Sequence, residues 1–217
     1  MAERLVVIGA GMASGRALEI LVEASPGAND ITLFGAEPRG NYNRIMLSPV
    51  LSGEKTYEEI VTHDDAWYAD HGVACRFGEA VTAIAPARKV VVSAKGEPPY
   101  DKLLLATGSH PFIIPVPGHD LPGVLAYRDL DDVEAMLEAC KPEGAKAVVI
   151  GGGLLGLEAA AGLHAQGMDV TVLHLMSHLM ERQLDAAAGY LLQKDLMKRG
   201  LKVRCRADTA GILGEDR

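Results

Sequence analysis

Residues 5–15 read LVVIGAGMASG and residues 147–156 read AVVIGGGLLG. In both, a short run of branched apolar residues enters a glycine turn. Such a run is expected to be a strand buried on both faces, as in a parallel sheet. Gly9 permits a tight turn out of the first strand, and Gly11 lets the backbone approach a pyrophosphate with no Cβ in the way. The helix that follows offers free N–H groups and the positive end of its dipole to such an anion. Ser14 stands where the usual pattern has a third glycine and is still small enough for close helix–sheet packing. Gly9, Gly11, Met12, Ala13 and Ser14 form the first candidate cofactor-binding group.

Outward from that turn, a helix is expected over residues 12–23, stopped by Ser25-Pro26-Gly27, and a strand over 31–34. Glu37 then falls near the spacing at which a carboxylate accepts ribose hydroxyls. The second turn carries all three glycines, Gly151, Gly153 and Gly156, with Leu154, Leu155 and Glu158 at the start of a helix over 155–166. The strand over 170–173 ends at His174, where an acid would select the 2′-hydroxyl of NAD. No arginine adjoins it in sequence to welcome the 2′-phosphate of NADP. The third glycine favours NADH, and the choice between NADH and NADPH stays open.

The chain thus repeats one strand–glycine turn–helix–strand unit. Between the copies lie an irregular stretch over 35–51, an acidic helical segment over 57–71 and strands over 73–76, 79–84, 89–93 and 102–106. Prolines recur over 111–122, a linker composition, and a helix is expected over 130–140. A further helix over 185–198 and a strand over 201–205 complete the reading. The fold class expected is α/β, with two Rossmann-like dinucleotide-binding domains, the second cut short. Its parts are 1–112, a crossover with helix over 113–143, and 144–217.

A formal charge of −8 over 217 residues does not advertise a nucleic-acid partner. Cys75, Cys140 and Cys205 lie far apart with no C-x-x-C or zinc spacing, so neither a disulfide framework nor a metal site is expected. The N-terminal MAERLVVIGAG lacks a signal-type pattern, and residues 147–163 contain glycines and a glutamate that argue against a membrane span. The expected location is the cytoplasm.

Two such units in this order resemble the FAD/NAD(P)-dependent reductases of the glutathione-reductase-like class, FAD half first. LLLATGSHPFIIPVPG resembles the segment that closes over the flavin nucleotide, which implies that Ala106, Thr107 and Gly108 lie near FAD. The segment before it resembles the preceding meander, with Val81 near the adenine. Disulfide reductases and peroxidases of this class carry redox cysteines early in the FAD domain. GNYNRIMLSPVLSGEK has none, so a thiol mechanism lacks its nucleophile.

GAEPRGNYNRIMLSPVLSGEK and HLMSHLMERQLDAAAGYLLQKDLMKRGL instead resemble the large-subunit family of assimilatory NAD(P)H-dependent nitrite reductases. That resemblance implies that Asn43, Arg44 and Ser48 contact FAD, Arg44 neutralising the pyrophosphate, and that Lys55 lies close to the flavin ring. It implies hydride transfer from NAD(P)H to FAD, then electrons to downstream iron-sulfur and sirohaem domains, as in nitrate assimilation. No cysteine cluster here can hold those centres, and the returning FAD segment is missing. The chain is therefore expected to be a fragment unable to reduce nitrite alone. Other readings are a reductase for a rubredoxin- or ferredoxin-type carrier, or a dinucleotide-binding fragment without turnover. Partners expected are the cofactors, those downstream domains or a carrier, and a second copy in a homodimer. No side chain is nominated for proton transfer. His174 and His178 lack a third metal ligand, and the pairs Glu58-Glu59, Asp64-Asp65 and Asp131-Asp132 are expected to be solvated surface.

Overall fold

Leu5 and Val7 join one buried cluster and Val6 and Ile8 another, so β1 (Glu3–Ile8) is covered on both faces, as its unbroken apolar run requires. The structure is a computed structural model and describes residues 2–214. After β1 come α1 (Met12–Ala24), β2 (Asn29–Gly35), α2 (Leu47–Ser52), α3 (Asp65–Asp70), β3 (Val73–Phe77), β4 (Val81–Ala85), β5 (Val90–Ser93) and β6 (Lys102–Leu105). Then follow α4 (Leu130–Cys140), β7 (Lys146–Ile150), α5 (Leu154–Ala165), β8 (Asp169–His174), α6 (Ala186–Lys198) and β9 (Lys202–Cys205).

The chain divides into two units. One holds the residues up to Arg44 together with Tyr57–Ser109; the other holds Ile45–Thr56 and the chain from His110 onward. The expected crossover over 113–143 thus lies wholly in the second unit, and residues 215–217 of its expected final part lie outside the described residues.

In the first unit the sheet has the order β3-β2-β1-β6, with every neighbouring pair parallel. Leu18 of α1 and Tyr68 of α3 pack on the Leu5, Val7 and Leu33 face. Val91 of β5 and Tyr100 pack on the face of Val6, Ile8 and Phe34, so the antiparallel β4–β5 pair forms the second cover. Parallel strands need such crossovers, and covering both faces removes the apolar sheet from water.

In the second unit β7-β8-β9 form a parallel sheet, with α5 packed on β7 and β8. Helix α2 packs on α5 at a glycine: a Cβ on Gly162 would lie 2.7 Å from Cγ of the fully buried Leu51. The Gln166 side chain donates to the Leu51 carbonyl at 2.9 Å and ties the same two helices.

Three segments depart from expectation. Residues 35–51 are not wholly irregular, since they contain most of α2; Pro49 is tolerated there because it sits in the first turn, where its missing N–H has no helical partner to lose. Residues 57–71 are not one helical segment. A 3-10 turn at Glu58–Ile60 gives way to extended Val61, which bridges Tyr42, and α3 begins afresh at Asp65. Asp64 is its cap, accepting from Trp67 N–H at 2.8 Å, and Asp129 and Asp132 form a reciprocal capping box on α4. One member each of the 64–65 and 131–132 pairs is thus tied to a helix N-terminus. Among the described residues no helix is long and apolar enough to cross a membrane.

Candidate functional site

The first glycine turn leaves the carboxyl end of β1, where ligands of open parallel sheets bind. Gly9 has φ +107, and a Cβ there would strike the Ala106 carbonyl oxygen at 2.2 Å. Only glycine allows this contact, which brings the Ala106-Thr107-Gly108 loop against the turn. A Cβ on Gly11 would meet nothing within 4 Å, so the space before α1 is open to a ligand. Met12, at the helix start, is 41% exposed, an apolar side chain at the rim of that space.

A buried polar network holds this turn from behind. The Ser14 hydroxyl donates to the Gly11 carbonyl at 2.8 Å, and the Asn41 amide donates to the same oxygen at 2.5 Å. Tyr68 O–H donates to Asn41 Oδ1 at 2.6 Å, and its oxygen accepts the Asn41 main-chain N–H at 2.9 Å. Ser14 and Asn41 are fully buried. Burial pushes the Tyr68 phenol up to about 12, which keeps it a donor. Sequence reading found Ser14 but not Asn41 or Tyr68, because only the fold brings residues 27 positions apart into contact.

Glu37 follows the end of β2. One carboxylate oxygen accepts from Tyr42 O–H at 2.7 Å, and the other is paired with the Arg44 guanidinium, which also lies over the Tyr42 ring. The fixed carboxylate keeps unused lone pairs for ribose hydroxyls. Asn43 is held by its main chain, N–H to the Ile60 carbonyl at 2.8 Å. Val81 opens β4 and packs on the Val91 cluster. Beside it lies Glu79, buried and absent from the sequence reading. Its carboxylate accepts from Ser93 at 2.5 Å, and that bond, with Arg76 and Lys95 nearby, holds its carboxyl below the ordinary range.

Ser48 and Lys55 belong to the second unit, on α2 and just beyond it. Ser48 donates to Glu158 at 2.7 Å and lies 2.8 Å from the Tyr127 hydroxyl. This cluster orients Glu158 on the first turns of α5. Lys55 is tied by its N–H to the Pro49 carbonyl at 3.1 Å.

The second turn repeats the first. Gly151 has φ +127 and donates to the Leu173 carbonyl at 2.8 Å. A Cβ on Gly153 would meet nothing within 4 Å, again leaving the helix start open. Leu154 and Leu155 beside it are 57% and 59% exposed, more than their size predicts for a position next to a sheet. The His174 ring is buried under the turn, with Nδ1 accepting the Gly152 N–H at 3.0 Å and Nε2 3.0 Å from Glu181. His178 turns elsewhere, toward Ser177 and the Leu184 carbonyl. Among the described residues no three His, Cys, Asp or Glu side chains are grouped as metal ligands. Cys75, Cys140 and Cys205 are all unpaired, and burial raises each thiol, Cys75 to about 11.

Comparisons with known proteins identify the family. The profile of a family described as pyridine nucleotide-disulphide oxidoreductase matches residues 3–217. The chain is 49% identical to the nitrite reductase [NAD(P)H] of Bacillus subtilis (strain 168) over 99% of its own length and 27% of that protein. It is 34% identical to the ferredoxin–NAD(+) reductase component of the biphenyl dioxygenase system of Paraburkholderia xenovorans (strain LB400), over 99% of this chain and 52% of that one. A solved NAD-dependent persulfide reductase from A. fulgidus superposes with a TM-score of 0.92 at 28% identity, covering 98% of this chain and 41% of that one. The chain spans about a quarter of the length of the nitrite and nitrate reductase relatives it matches.

Proposed function

The chain belongs to the pyridine nucleotide-disulphide oxidoreductase family, and on that premise we propose that it is the flavin-reductase portion of a nitrite reductase large subunit. It takes reducing equivalents from NAD(P)H into FAD and passes them to a downstream centre. The observation that carries this reading is the pair of open helix starts at Gly11 and Gly153, each at the carboxyl end of a parallel strand. Each presents unpaired N–H groups and a dipole to a pyrophosphate, and each has the room that a ligand's phosphates need.

In this reading the first unit holds FAD. Gly9, Gly11, Met12 and Ala13 carry its pyrophosphate on a turn braced by the buried Ser14, Glu37 receives the ribose, Val81 faces the adenine, and Asn43, Arg44 and the Ala106–Gly108 loop complete the cradle. Ser48, on α2, and Lys55, just beyond it, keep the flavin roles that the resemblance implies. The second unit holds NAD(P)H on Gly151, Gly153 and Gly156, with Leu154 and Leu155 shielding it from water and Glu158 fixed by Ser48. When bound, the two cofactors supply the redox chemistry, and the protein supplies position, electrostatics and exclusion of water. No thiol takes part, since residues 40–55 contain no cysteine. The acceptor is a downstream iron-sulfur or sirohaem domain, and the setting is the cytoplasm.

A second reading, a reductase for a separate iron-sulfur carrier, draws on the likeness to the ferredoxin reductase component. The two differ only in the acceptor. The test of the shared core is the visible absorbance spectrum of the purified chain supplied with FAD, repeated anaerobically after NADH or NADPH. A flavin spectrum that bleaches is expected. A chain that neither carries nor takes up FAD would overturn the proposal.

A further inference from the structure

His174 occupies the end of β8, where a dinucleotide-binding unit ordinarily places an acid that accepts the adenosine ribose hydroxyls. Its ring is already committed on both nitrogens. Nδ1 accepts the Gly152 N–H at 3.0 Å, so the ring proton lies on Nε2, which faces Glu181 Oε2 at 3.0 Å. A ribose hydroxyl arriving here finds no free acceptor on the imidazole. It does find the carboxylate of Glu181, seven residues further on, because the loop after β8 folds back over the turn. The Met180 N–H donates to the Gly152 carbonyl at 2.9 Å, and the fully buried Leu179 fills the space where a Gly152 Cβ would stand. Gly152 is therefore gripped on both its N–H and its carbonyl, and Glu181 is delivered next to it.

We propose that Glu181, held on the glycine turn through His174, is the residue that receives the ribose 2′-hydroxyl and selects NADH over NADPH. The inference rests on the reading of the second turn as the pyridine-nucleotide site. The His174 side chain is 8% exposed but that of Glu181 is 25% exposed, so the acid, not the imidazole, reaches solvent and ligand. An ionised carboxylate accepts two hydroxyls and repels a 2′-phosphate. Glu181 is held below its ordinary range by its own main-chain N–H and then by His174, so it is ionised wherever the protein is assayed near neutrality. Arginines compete for the opposite outcome. Arg182 adjoins Glu181, and Arg206, with its N–H on the Met176 carbonyl, arrives from β9 beside the end of β8. The ligand preference measures which charge prevails.

The experiment is calorimetric titration of the full chain with NADH, NADPH, 5′-AMP and 2′,5′-ADP, independent of flavin turnover. The wild-type chain is expected to bind NADH more tightly than NADPH. Glu181→Gln is expected to weaken NADH by on the order of tenfold, the usual loss for a hydrogen bond to a charged group, and to leave NADPH unchanged or tighter. Adding His174→Asp to Glu181→Gln returns a carboxylate to the strand end and is expected to restore the NADH preference. If Glu181→Gln leaves the NADH to NADPH ratio at the wild-type value, or the wild type prefers NADPH, the role of Glu181 is overturned while the nucleotide site stands. If the wild type binds none of the four, the reading of the second turn falls, and this inference with it.

Discussion

A Cβ on Gly156 would stand 2.0 Å from the carbonyl oxygen of Gly151, so helix α5 rests on its own entry turn at a distance that no side chain permits. Ordinary helix propensity would favour alanine over glycine at an interior position by roughly 1 kcal/mol. Here that gain is overridden, because backbone and not a yielding side chain stands in the way. Gly156→Ala is expected to lower stability by about 1–3 kcal/mol and to weaken pyridine-nucleotide binding by pushing α5 off the turn. Thermal unfolding and NADH titration check this. An alanine variant as stable and as tightly binding as the wild type would refute the packing argument.

The first turn depends on a different device. Asn41 and Tyr68 hold the Gly11 carbonyl from behind, and both are buried. Removing one member strands the others without water to replace it. Tyr68→Phe is expected to cost about 1–3 kcal/mol in urea unfolding, and Asn41→Ala a similar amount, with a lower retained FAD content in each. The double variant should cost less than the two single losses added, because the groups act as one network. Additive losses would show that the residues act separately.

Much of this was readable in the sequence, and the reason differs by element. Strand β1 and the turns at Gly9 and Gly151 follow from contiguous residues, because a buried strand, a forced φ and a helix start are local demands. Helix α4 matches the helix expected over 130–140. Helix α2 was not, because it is six residues long with Pro49 within it, and its stability comes from packing Leu51 on Gly162 of α5. The break at Val61 was hidden for a similar reason: its pairing with Tyr42 is tertiary. At the candidate site, spacing singles out Glu37, while Asn41, Tyr68, Glu79 and the His174–Glu181 pair emerge only from contacts between separated segments. Arg206, just after β9, reaches the end of β8 only through the fold, its main-chain N–H donating to the Met176 carbonyl.

Alkaline pH should loosen the first unit. Burial raises Tyr68 from its ordinary value near 10 to about 12 and Cys75 from near 9 to about 11. Both are neutral when protonated, so the folded state holds their protons more tightly than the unfolded chain does. Their contribution is fully present below pH 9 and is lost as pH rises from about 9 to about 12. Denaturant midpoints measured across that window should fall, and the fall between pH 9 and 11 should be shallower in Cys75→Ala. The same burial predicts slow reaction of Cys75 with a thiol reagent at pH 8 in the folded chain. Rapid labelling of Cys75 without unfolding would contradict the burial.

Gly162 and Leu51 give a last test, of how α2 is fixed on α5. A methyl group on Gly162 would lie 2.7 Å from Leu51 Cγ and 2.8 Å from Cδ2, and Leu51 is fully buried with nowhere to retreat. The helix gains propensity from alanine, roughly 1 kcal/mol, and overpacking costs about 1–3 kcal/mol, so Gly162→Ala is expected to destabilise on balance. Leu51→Ala alone leaves a cavity, with a loss of about 2–5 kcal/mol. Combined, the added methyl partly fills the space that the leucine leaves, and the pair should cost less than the sum of its parts. Because Ser48 on α2 fixes Glu158 on α5 at 2.7 Å, the single Gly162 variant should also disturb Glu158, visible as weaker NADH binding. A strictly additive cycle with unchanged binding would mean that α2 is placed by something other than this contact.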